Sequence, residues 1–500
     1  YTRTYTLSLH DALPISEASA AEAAFLAGDA KLSWQLMNVA ARGVGEAALS
    51  LLGRKPDRIL VLAGKGNNGA DAFLAALHCA RAGTEIVAVF AEGGPARAQA
   101  QRAWAVRKQG VRIGIVAAAN LRKLAAHEFC LIFDGILGQG FRAPLSADLR
   151  SFLRDTDKLQ GLRIAVDLPS GLGDDATGPA FRADLTVSIG CLKRPLLSPK
   201  AAPFVGRLRV LDIGLPLGET EEACVTSAAL APLTRPRRAR SDKRHQGRLL
   251  IVGGSERMPG AVIMNTAAAL RSGAALVTTC LPESIRAKAA VAYPEAMWRG
   301  LSTGKDGTLA ANNLKELRRL LADKDAILLG SGMGEKASGL IRAVASAVTG
   351  ALVLDADALR PTVITAAKKV PVLVLLPHAG EFKRLSGRPA SVVAARAYAR
   401  RTKSIVVLKG PLTCVTDGLR VLHVPFGGPV LARGGSGDLL AGIVTSVLAR
   451  RHELALSAFD AVVLATTWHA RAADWLRENH GEEAVRTTEL LAGLSPVLRD

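Results

Sequence analysis

Residues 431–443 read LARGGSGDLLAGI, a glycine-rich turn that runs directly into an apolar helix. Gly434, Gly435 and Gly437 allow the backbone to point N–H groups at a ligand, and the helix N-terminus adds partial positive charge, so the stretch is suited to holding a phosphate. Asp438 is unusual there, because a carboxylate repels an anion. Two interpretations of Asp438 are open: it is a base that takes a proton from a hydroxyl attacking the phosphate, or it is a helix N-cap.

The composition is typical of a globular protein with two or more domains, since 500 residues are too many for one core. The net charge is +20 and the pI about 10.1. Arginines are scattered and aromatic residues make up only 4%, which argues against nucleic-acid binding. The densest basic run, around residues 235–244, is interpreted as a solvated linker.

The chain is expected to be cytoplasmic. No stretch of about 18 apolar residues is free of charge, and the N-terminus lacks a signal-peptide pattern. The six cysteines form no Cys-x-x-Cys pair and predict buried free thiols of a reducing compartment. Residues 1–16 look unlike the Ala-rich helix pattern that follows. They resemble translated adapter sequence and are expected to be disordered or foreign to the native protein.

Strands alternate with helices in both halves, which predicts two α/β domains. After a helical region at 20–52, the first half has strands at 58–63, 85–90, 111–116, 129–133, 163–167 and 185–189, with helices at 70–82, 96–109 and 147–158. This pattern predicts a Rossmann-like, three-layer αβα domain over residues 17–228 with a parallel, doubly wound sheet. Residues 229–247 form the basic linker.

The second half, residues 248–500, repeats the alternation with its own sheet. Strands are predicted at 248–252, 275–280, 326–329, 351–354, 372–376 and 405–408, and a helix at 261–272. Polar residues follow these strands: Asp355 and Asp357, which could organise magnesium or a helix cap, and His378 with Glu381, which favour a ligand contact. Lys409 opens a further turn whose glycine and hydroxyl can face a nucleotide phosphate.

Oxygen-bearing clusters end three strands of the first domain, where ligands of parallel sheets bind. They are residues 66–71 (GNNGAD), Asp134 with residues 138–144, and residues 167–171 (DLPSG). Each taken alone is a tight turn between a strand and a helix. Three together predict a shared pocket, and their all-oxygen ligands suit a hard cation rather than zinc.

The first domain resembles the epimerase domain for hydrated NAD(P)H, the YjeF N-terminal type. The matching pieces are VLAGKGNNGAD, FDGILGQGF, AVDLPSG, ADLTVSIGCLK and VLDIGLP. The resemblance implies acid/base roles for Asp167 and Lys193. It implies a potassium ion held by Asn68, Asp134 and Ser170. The implied substrate contacts are Asn67, Asn68, Gly69, Ala70, Asp71, Gly138, Gln139, Gly140, Phe141, Arg142, Ala143, Pro144 and Asp167.

Three positions depart from that family's pattern. Ala70 and Ala72 stand where glycines are usual, so two added methyl groups are expected to crowd the phosphate loop, and Leu192 replaces a proline.

The second domain resembles the dehydratase for the same hydrate, which has a ribokinase-like fold. The matching pieces are LLIVGGS, MPGA, YPEAM, LLGSGMG, LDADAL, LLPHAGEF, VVLKGPLT and the glycine-rich turn. The resemblance implies that Asp438 is the catalytic base and that the substrate contacts Ala261, Gly334, His378 and Asp438. The implied nucleotide contacts are Lys409, Gly410, Pro411, Leu412, Thr413, Gly434, Gly435, Ser436 and Gly437. Leu412 and Ser331 replace a glycine and a proline of the family.

Together the two resemblances imply repair of hydrated NADH and NADPH. The first domain would interconvert the R and S hydrates, and the second would dehydrate the S hydrate with ADP (or ATP) as co-substrate and magnesium. We expect a homo-oligomer with neither nucleic acid nor a membrane as partner. One alternative is a small-molecule kinase of the hydroxyethylthiazole or pyridoxal type fused to a non-catalytic nucleotide-binding module.

Overall fold

A computed structural model describes residues 9–91, 110–174, 178–198, 200–216, 220–237 and 246–499. The chain divides into two compact units, His10–Cys224 and Val225–Asp500. All six cysteines are free, and five of them are buried. Within the described residues, no helix is long and apolar enough to cross a membrane. The predicted helix at 96–109 lies outside the described residues.

The first unit contains a seven-stranded sheet in which all neighbouring strands are parallel. Its order is β4 (Arg112–Ala117), β3 (Glu85–Phe90), β2 (Arg58–Ala63), β5 (Glu128–Gly135), β6 (Gln160–Val166), β7 (Leu185–Ile189) and β9 (Arg207–Leu211). β2 is buried on both faces, which explains why it is an unbroken apolar run rather than an alternating one.

Helices α1 (Ile15–Leu26), α2 (Ala30–Leu52), α3 (Asn67–Cys79), α4 (Ala147–Thr156) and α5 (Ala202–Val205) belong to the same unit. The predicted helical region at 20–52 is two helices rather than one. It is interrupted at Ala27, which adopts a left-handed conformation, and restarts at Asp29, whose carboxylate accepts the N–H of Lys31 at 2.8 Å.

The prediction of disorder for residues 1–16 is wrong for residues 9–16. There, β1 (Leu9–Leu13) pairs in parallel with β8 (Leu192–Lys193), and α1 begins directly afterwards at Ile15. Backbone pairing, which an unusual composition does not reveal, orders this stretch. Residues 1–8 lie outside the described residues.

The region predicted as the basic linker, residues 229–247, is packed at its start. A short strand β10 (Glu222–Val225) and a 3₁₀ turn (Ser227–Leu230) lead into α6 (Ala231–Thr234), and Ala229, Leu230 and Pro232 are buried. Most of the basic run at 235–244 lies outside the described residues. Arg235 and Arg237 are exposed, as a linker would require.

Nine strands of the second unit pair in the order β13 (Met297–Leu301), β12 (Leu276–Pro282), β11 (Arg248–Val252), β14 (Ala326–Leu329), β15 (Ala351–Leu354), β16 (Val372–Leu375), β17 (Ile405–Leu408), β18 (Thr413–Thr416) and β19 (Val421–Val424). The pairs from β13 to β17 are parallel, and the last two are antiparallel. The sheet is therefore mixed.

The helices of this unit are α7 (Pro259–Arg271), α8 (Glu283–Ala292), α9 (Leu314–Leu321), α10 (Ser338–Ala345), α11 (Pro361–Ala366), α12 (Ala379–Ser386), α13 (Val392–Thr402), α14 (Ser436–Ala449), α15 (Ala458–His480) and α16 (Leu490–Gly493). α14 is buried along nearly its whole length, which explains its apolar sequence.

Candidate active sites

The oxygen-bearing residues of the first unit meet where β2, β5 and β6 end. The Asp134 carboxylate accepts the Ser170 backbone N–H at 2.8 Å and its hydroxyl at 2.6 Å. The same hydroxyl accepts the Leu137 N–H at 2.8 Å, and the Asn68 amide donates to the Leu137 carbonyl at 2.6 Å. The three residues predicted as cation ligands are therefore linked through one backbone position.

Asp134 is the buried charge of this cluster. Burial raises its pKa to about 6 against the opposing hydrogen bonds from Ser170 and Ile136. A carboxylate in this position is costly to ionise without a neighbouring cation. Carboxylate, hydroxyl and amide oxygens are also the donors that a hard cation prefers, so this donor set fits a potassium ion.

The predicted substrate loops lie against each other. Residues 67–71 form the first turn of α3, and a Cβ on Gly138 would lie 3.0 Å from that of Asn68. Gly69 cannot be replaced without a shift, because a Cβ there would meet the Gly64 carbonyl oxygen. Arg142 folds back on its own loop, donating to the carbonyls of Gln139 and Phe141 at 3.0 and 2.9 Å.

The methyl groups of Ala70 and Ala72 are buried in the hydrophobic core of the first unit, at 1% and 0% exposure. The sequence predicts that these two methyl groups crowd the phosphate loop. In the structure both residues pack in the core beneath that loop.

Asp167 and Lys193 form a buried ion pair, with side chains 6% and 0% exposed. Lys193 also donates to the Ile189 carbonyl, and the Ile189 N–H donates to Asp167 Oδ1 at 2.9 Å. Asp167 adopts a left-handed backbone conformation with φ of 65°. Residues in such a conformation persist only where surrounding contacts hold them, and they are often found at functional sites.

Glu22 of α1 belongs to the same cluster, although the sequence analysis does not identify it. Gln139 donates to its carboxylate at 3.3 Å. Burial raises the pKa of Glu22, and Asp167 raises it further, against the opposing charge of Lys193. No sequence signal distinguishes Glu22, because it lies in an Ala-rich helix far from every motif.

Asp71 is a third carboxyl group, near Asp167 and Glu22. Burial raises its pKa well above the ordinary value, and Asp167 and Glu22 add to the effect. Its Oδ1 is buried and has no hydrogen-bond partner among the described residues. Neighbouring carboxyl groups of this kind disfavour the ionisation of all of them together.

In the second unit the glycine-rich turn forms the N-terminus of α14. Gly435 has a φ of 89°, and a Cβ there would lie 2.6 Å from the Met264 sulfur, so only glycine fits. Two hydrogen bonds to residues 485–487 hold the turn in place: Thr487 donates to the Gly434 carbonyl at 2.8 Å, and Arg433 donates to the Val485 carbonyl at 2.9 Å. The turn is thus a preformed group of backbone donors.

Lys409 places a cation against this turn. Its ammonium lies 3.0 Å from Asp355 and 3.8 Å from Glu381, and a Cβ on Gly437 would lie 3.3 Å from it. Burial lowers the pKa of Lys409, but Asp355 and Glu381 outweigh that effect and raise it overall. The side chain therefore stays protonated beside the turn. Residues 410–412 continue as the hairpin between β17 and β18, where the Thr413 hydroxyl donates to the Gly410 carbonyl at 3.3 Å.

Asp438 lies in the first turn of α14 but does not cap it, since no side-chain capping bond is present and Gly435 is the N-cap. Its backbone carbonyl accepts the Asn265 amide at 2.7 Å. Burial raises the pKa of Asp438 to about 6, Asp355 adds to the effect, and Lys409 opposes it. A pKa near the working pH is what a general base requires.

The remaining predicted contacts also lie at the carboxyl ends of the parallel strands. His378 caps α12: its Nδ1 accepts the Gly380 N–H at 3.0 Å, and Glu381 accepts the His378 N–H at 2.8 Å. The Asp357 carboxylate accepts a hydrogen bond from the Gly334 N–H at 2.7 Å. Ala261 lies in the first turn of α7, and a Cβ on Gly332 would lie 3.0 Å from the Ala261 Cβ.

His469 lies behind the glycine-rich turn and is not identified by the sequence analysis. It is 4% exposed, and its Nε2 lies 3.5 Å from the Ser436 hydroxyl. Burial, helped by Lys409, lowers its pKa to about 4, so the ring is neutral. In the sequence it lies in the middle of a helix, outside every motif, so no local pattern distinguishes it.

Across the described ranges, no group of three or more His, Cys, Asp or Glu side chains is placed to hold a metal ion. The carboxylates at the second site, Asp355 and Glu381, already contact Lys409. Magnesium commonly combines one or two carboxylates with nucleotide phosphates, and this donor set fits that arrangement.

Comparisons with known proteins match both units. Residues 249–495 match the NAD(P)H-hydrate dehydratase family, and residues 33–195 match the YjeF-related protein N-terminus family. The bifunctional NAD(P)H-hydrate repair enzyme of Moorella thermoacetica is 32% identical over 89% of this chain and 88% of its own length. That of Hyperthermus butylicus is 33% identical over 86% of this chain and 84% of its own length.

Solved structures resemble the second unit. A ribokinase-like superfamily protein from Enterococcus faecalis is 24% identical, with 57% of this chain and 97% of that chain covered and a TM-score of 0.48. An ADP/ATP-dependent NAD(P)H-hydrate dehydratase from Bacillus subtilis, co-crystallised with ATP and Mg²⁺, is 25% identical, with 55% and 96% covered and a TM-score of 0.47.

Two α/β units, the second with a glycine-rich turn at a helix N-terminus, together with the two matching families define the class as a two-domain enzyme of nucleotide chemistry. The chain belongs to the bifunctional NAD(P)H-hydrate repair enzymes. It is an NAD(P)H-hydrate epimerase joined to an NAD(P)H-hydrate dehydratase.

Proposed function

We propose that the second unit dehydrates the S hydrate of NADH and NADPH with ADP as the phosphate donor, and that Asp438 is its base. The observation that carries this proposal is the placement of Asp438 in the first turn of α14, next to Lys409 and the glycine-rich turn. A base beside a phosphate cradle suits phosphoryl transfer to a hydroxyl.

In the proposed dehydration, the ring hydroxyl is first phosphorylated and then expelled. Asp438 takes the proton of the ring hydroxyl, whose oxygen attacks the terminal phosphate of ADP and releases AMP. The ring-nitrogen lone pair then expels the phosphorylated oxygen as inorganic phosphate, and the neighbouring ring carbon loses a proton to restore the double bond. Lys409 and the backbone N–H groups around Gly434 and Gly437 stabilise the charge on the transferred phosphate. Magnesium, with Asp355 and Glu381 as its carboxylate ligands, would supply further charge neutralisation.

In the first unit, we propose that Asp167 and Lys193 carry the proton transfers that invert the hydroxyl-bearing carbon. The ring-nitrogen lone pair expels the hydroxyl as water once it is protonated, and water returns to the other face of the ring. Glu22 and Asp71 support the proposal, because their raised pKa values favour a proton near this pair. A potassium ion held by Asn68, Asp134 and Ser170 would neutralise Asp134 and order the loops of residues 67–71 and 138–144.

The full chain tests the proposal on separated R and S hydrates. With ADP, the S hydrate should give NADH, AMP and inorganic phosphate in equal amounts. Without ADP, either hydrate should give a mixture of the two epimers. A stable phosphorylated product with no free phosphate would contradict the dehydratase and support the kinase alternative. Failure to mix the epimers would assign the first unit to binding alone.

A further inference from the structure

A cavity of about 460 Å³ lies in the second unit, away from the glycine-rich turn. It is lined by Arg450, which directly follows the C-terminus of α14, whereas the turn forms the N-terminus of the same helix. The 14 residues of α14 separate the two places by about 20 Å. The cavity is also lined by Gln246 and Gly273, which precede β11 and β12. It therefore lies at the amino ends of the parallel strands and is not part of the catalytic site.

The cavity concentrates positive charge. Its lining includes Arg235, Arg237, Arg271 and Arg450, and among the described lining residues Glu453 is the one acidic side chain. Arg450 Nη1 donates to the Ser272 carbonyl at 2.6 Å, and Arg237 Nη2 donates to the neighbouring Gly273 carbonyl at 3.3 Å. Two guanidinium groups are thus held side by side at successive carbonyls, an arrangement that like charges disfavour unless an anion joins them.

Arg450 gives a second and independent indication of a ligand. The residue is only 7% exposed, and its Nε has no hydrogen-bond partner in the part of the chain that the structure describes. Burial lowers its pKa to about 10, and Arg237 contributes to that effect. A buried guanidinium with an unused donor is costly, and a bound anion would offset its positive charge.

The rest of the lining is largely apolar, including Leu454 and Trp468. The Trp468 indole N–H already donates to the Leu494 carbonyl at 2.7 Å. The residue therefore presents apolar ring surface to a ligand, and no free hydrogen-bond donor. A ligand that satisfies both parts of the cavity carries an anionic group and an apolar body.

We propose that this cavity is a second ligand site, which binds a small molecule bearing a phosphate group on an apolar ring or chain. Planar guanidinium groups pair with phosphate oxygens in bidentate fashion, and paired arginines are better suited to that geometry than lysines. The site is independent of the proposed catalytic residues, because none of them lines the cavity.

Isothermal titration calorimetry of the full chain with phenyl phosphate tests the proposal. Saturating ADP is present throughout, so that the glycine-rich turn is already filled. We expect saturable binding by the parent chain and no binding of phenol, which lacks the phosphate. Arg237→Met should weaken binding about tenfold, since a hydrogen bond to a charged group is lost.

Ala455→Asp is a second variant that leaves the Arg450–Ser272 hydrogen bond in place. Ala455 lines the cavity with a φ of 54°, a conformation that aspartate tolerates, so its carboxylate should compete with the ligand for the arginines. Arg318→Met, at an exposed position of α9, is the matched control and should bind like the parent. Absence of saturable binding, or equal binding by all four proteins, would overturn the proposal.

Discussion

The ammonium of Lys409 lies 3.0 Å from Asp355 Oδ1, and the two groups act in opposite directions on Asp438. Asp355 raises the pKa of Asp438, whereas Lys409 lowers it, and burial brings the net value to about 6. The ion pair therefore sets the proton affinity of the proposed base while it places a cation next to the glycine-rich turn.

Asp438→Asn should abolish dehydration and leave epimerisation intact. The amide keeps the shape of the side chain but cannot accept the hydroxyl proton, so we expect a loss of about a hundredfold to ten-thousandfold in turnover. The measurement is phosphate release from the S hydrate and ADP, with mixing of the epimers followed in parallel. Full dehydration by this variant would remove Asp438 from the role of base.

The dehydration rate should fall at low pH. The base works only when deprotonated, so kcat/KM should be flat above a pH of about 6 and decrease tenfold per pH unit below it. In Lys409→Met the opposing positive charge is gone, so the midpoint of this decrease should move to higher pH. A midpoint that stays in place, or moves down, would show that another group controls the profile.

Gly435→Ala should destabilise the second unit by at least about 1 kcal/mol. Its positive φ is unfavourable for alanine, and the new methyl group would overlap the Met264 sulfur. Gly434→Ala is the matched control, since a Cβ there meets nothing within 4 Å. Urea unfolding of both variants measures the difference, and equal stability would contradict the close packing of the turn against α7.

Glu22→Gln should slow epimerisation about a hundredfold and leave dehydration unchanged. The variant keeps a hydrogen-bonding partner for Gln139 but removes an ionisable group from the vicinity of Asp167 and Lys193. Glu17→Gln, at an exposed position of the same helix, is the control. If both variants epimerise at the parent rate, Glu22 has no part in the proton transfers.

Potassium should stabilise the first unit through Asp134. We expect the parent chain to have a higher thermal transition in potassium chloride than in choline chloride at equal ionic strength, because a bound cation stabilises only the folded form. Asp134→Asn should lose this difference, and Asp148→Asn, at an exposed position of α4, should keep it. A difference that persists in Asp134→Asn would place the cation elsewhere.

Much of the fold could be predicted because burial on both sides of a parallel sheet leaves unbroken apolar runs. The strands at 58–63, 85–90, 185–189, 248–252, 326–329, 351–354 and 405–408 have the predicted bounds. The sequence does not predict β18 and β19, because each of these antiparallel strands has only four residues, too few for an alternating pattern to stand out. The order of residues 9–16 depends on pairing with β8, which no local pattern contains.

The sequence by itself determined the two-domain α/β class and the motifs that end its strands, because glycine turns and polar residues after apolar runs are local features. Tertiary structure alone decided which distant groups share a site. Glu22 meets Asp167 and Lys193, and His469 comes to lie behind Ser436, only when the strands and helices pack. Tertiary structure also decided the pKa of Asp438, because burial and neighbouring charges are properties of the folded chain.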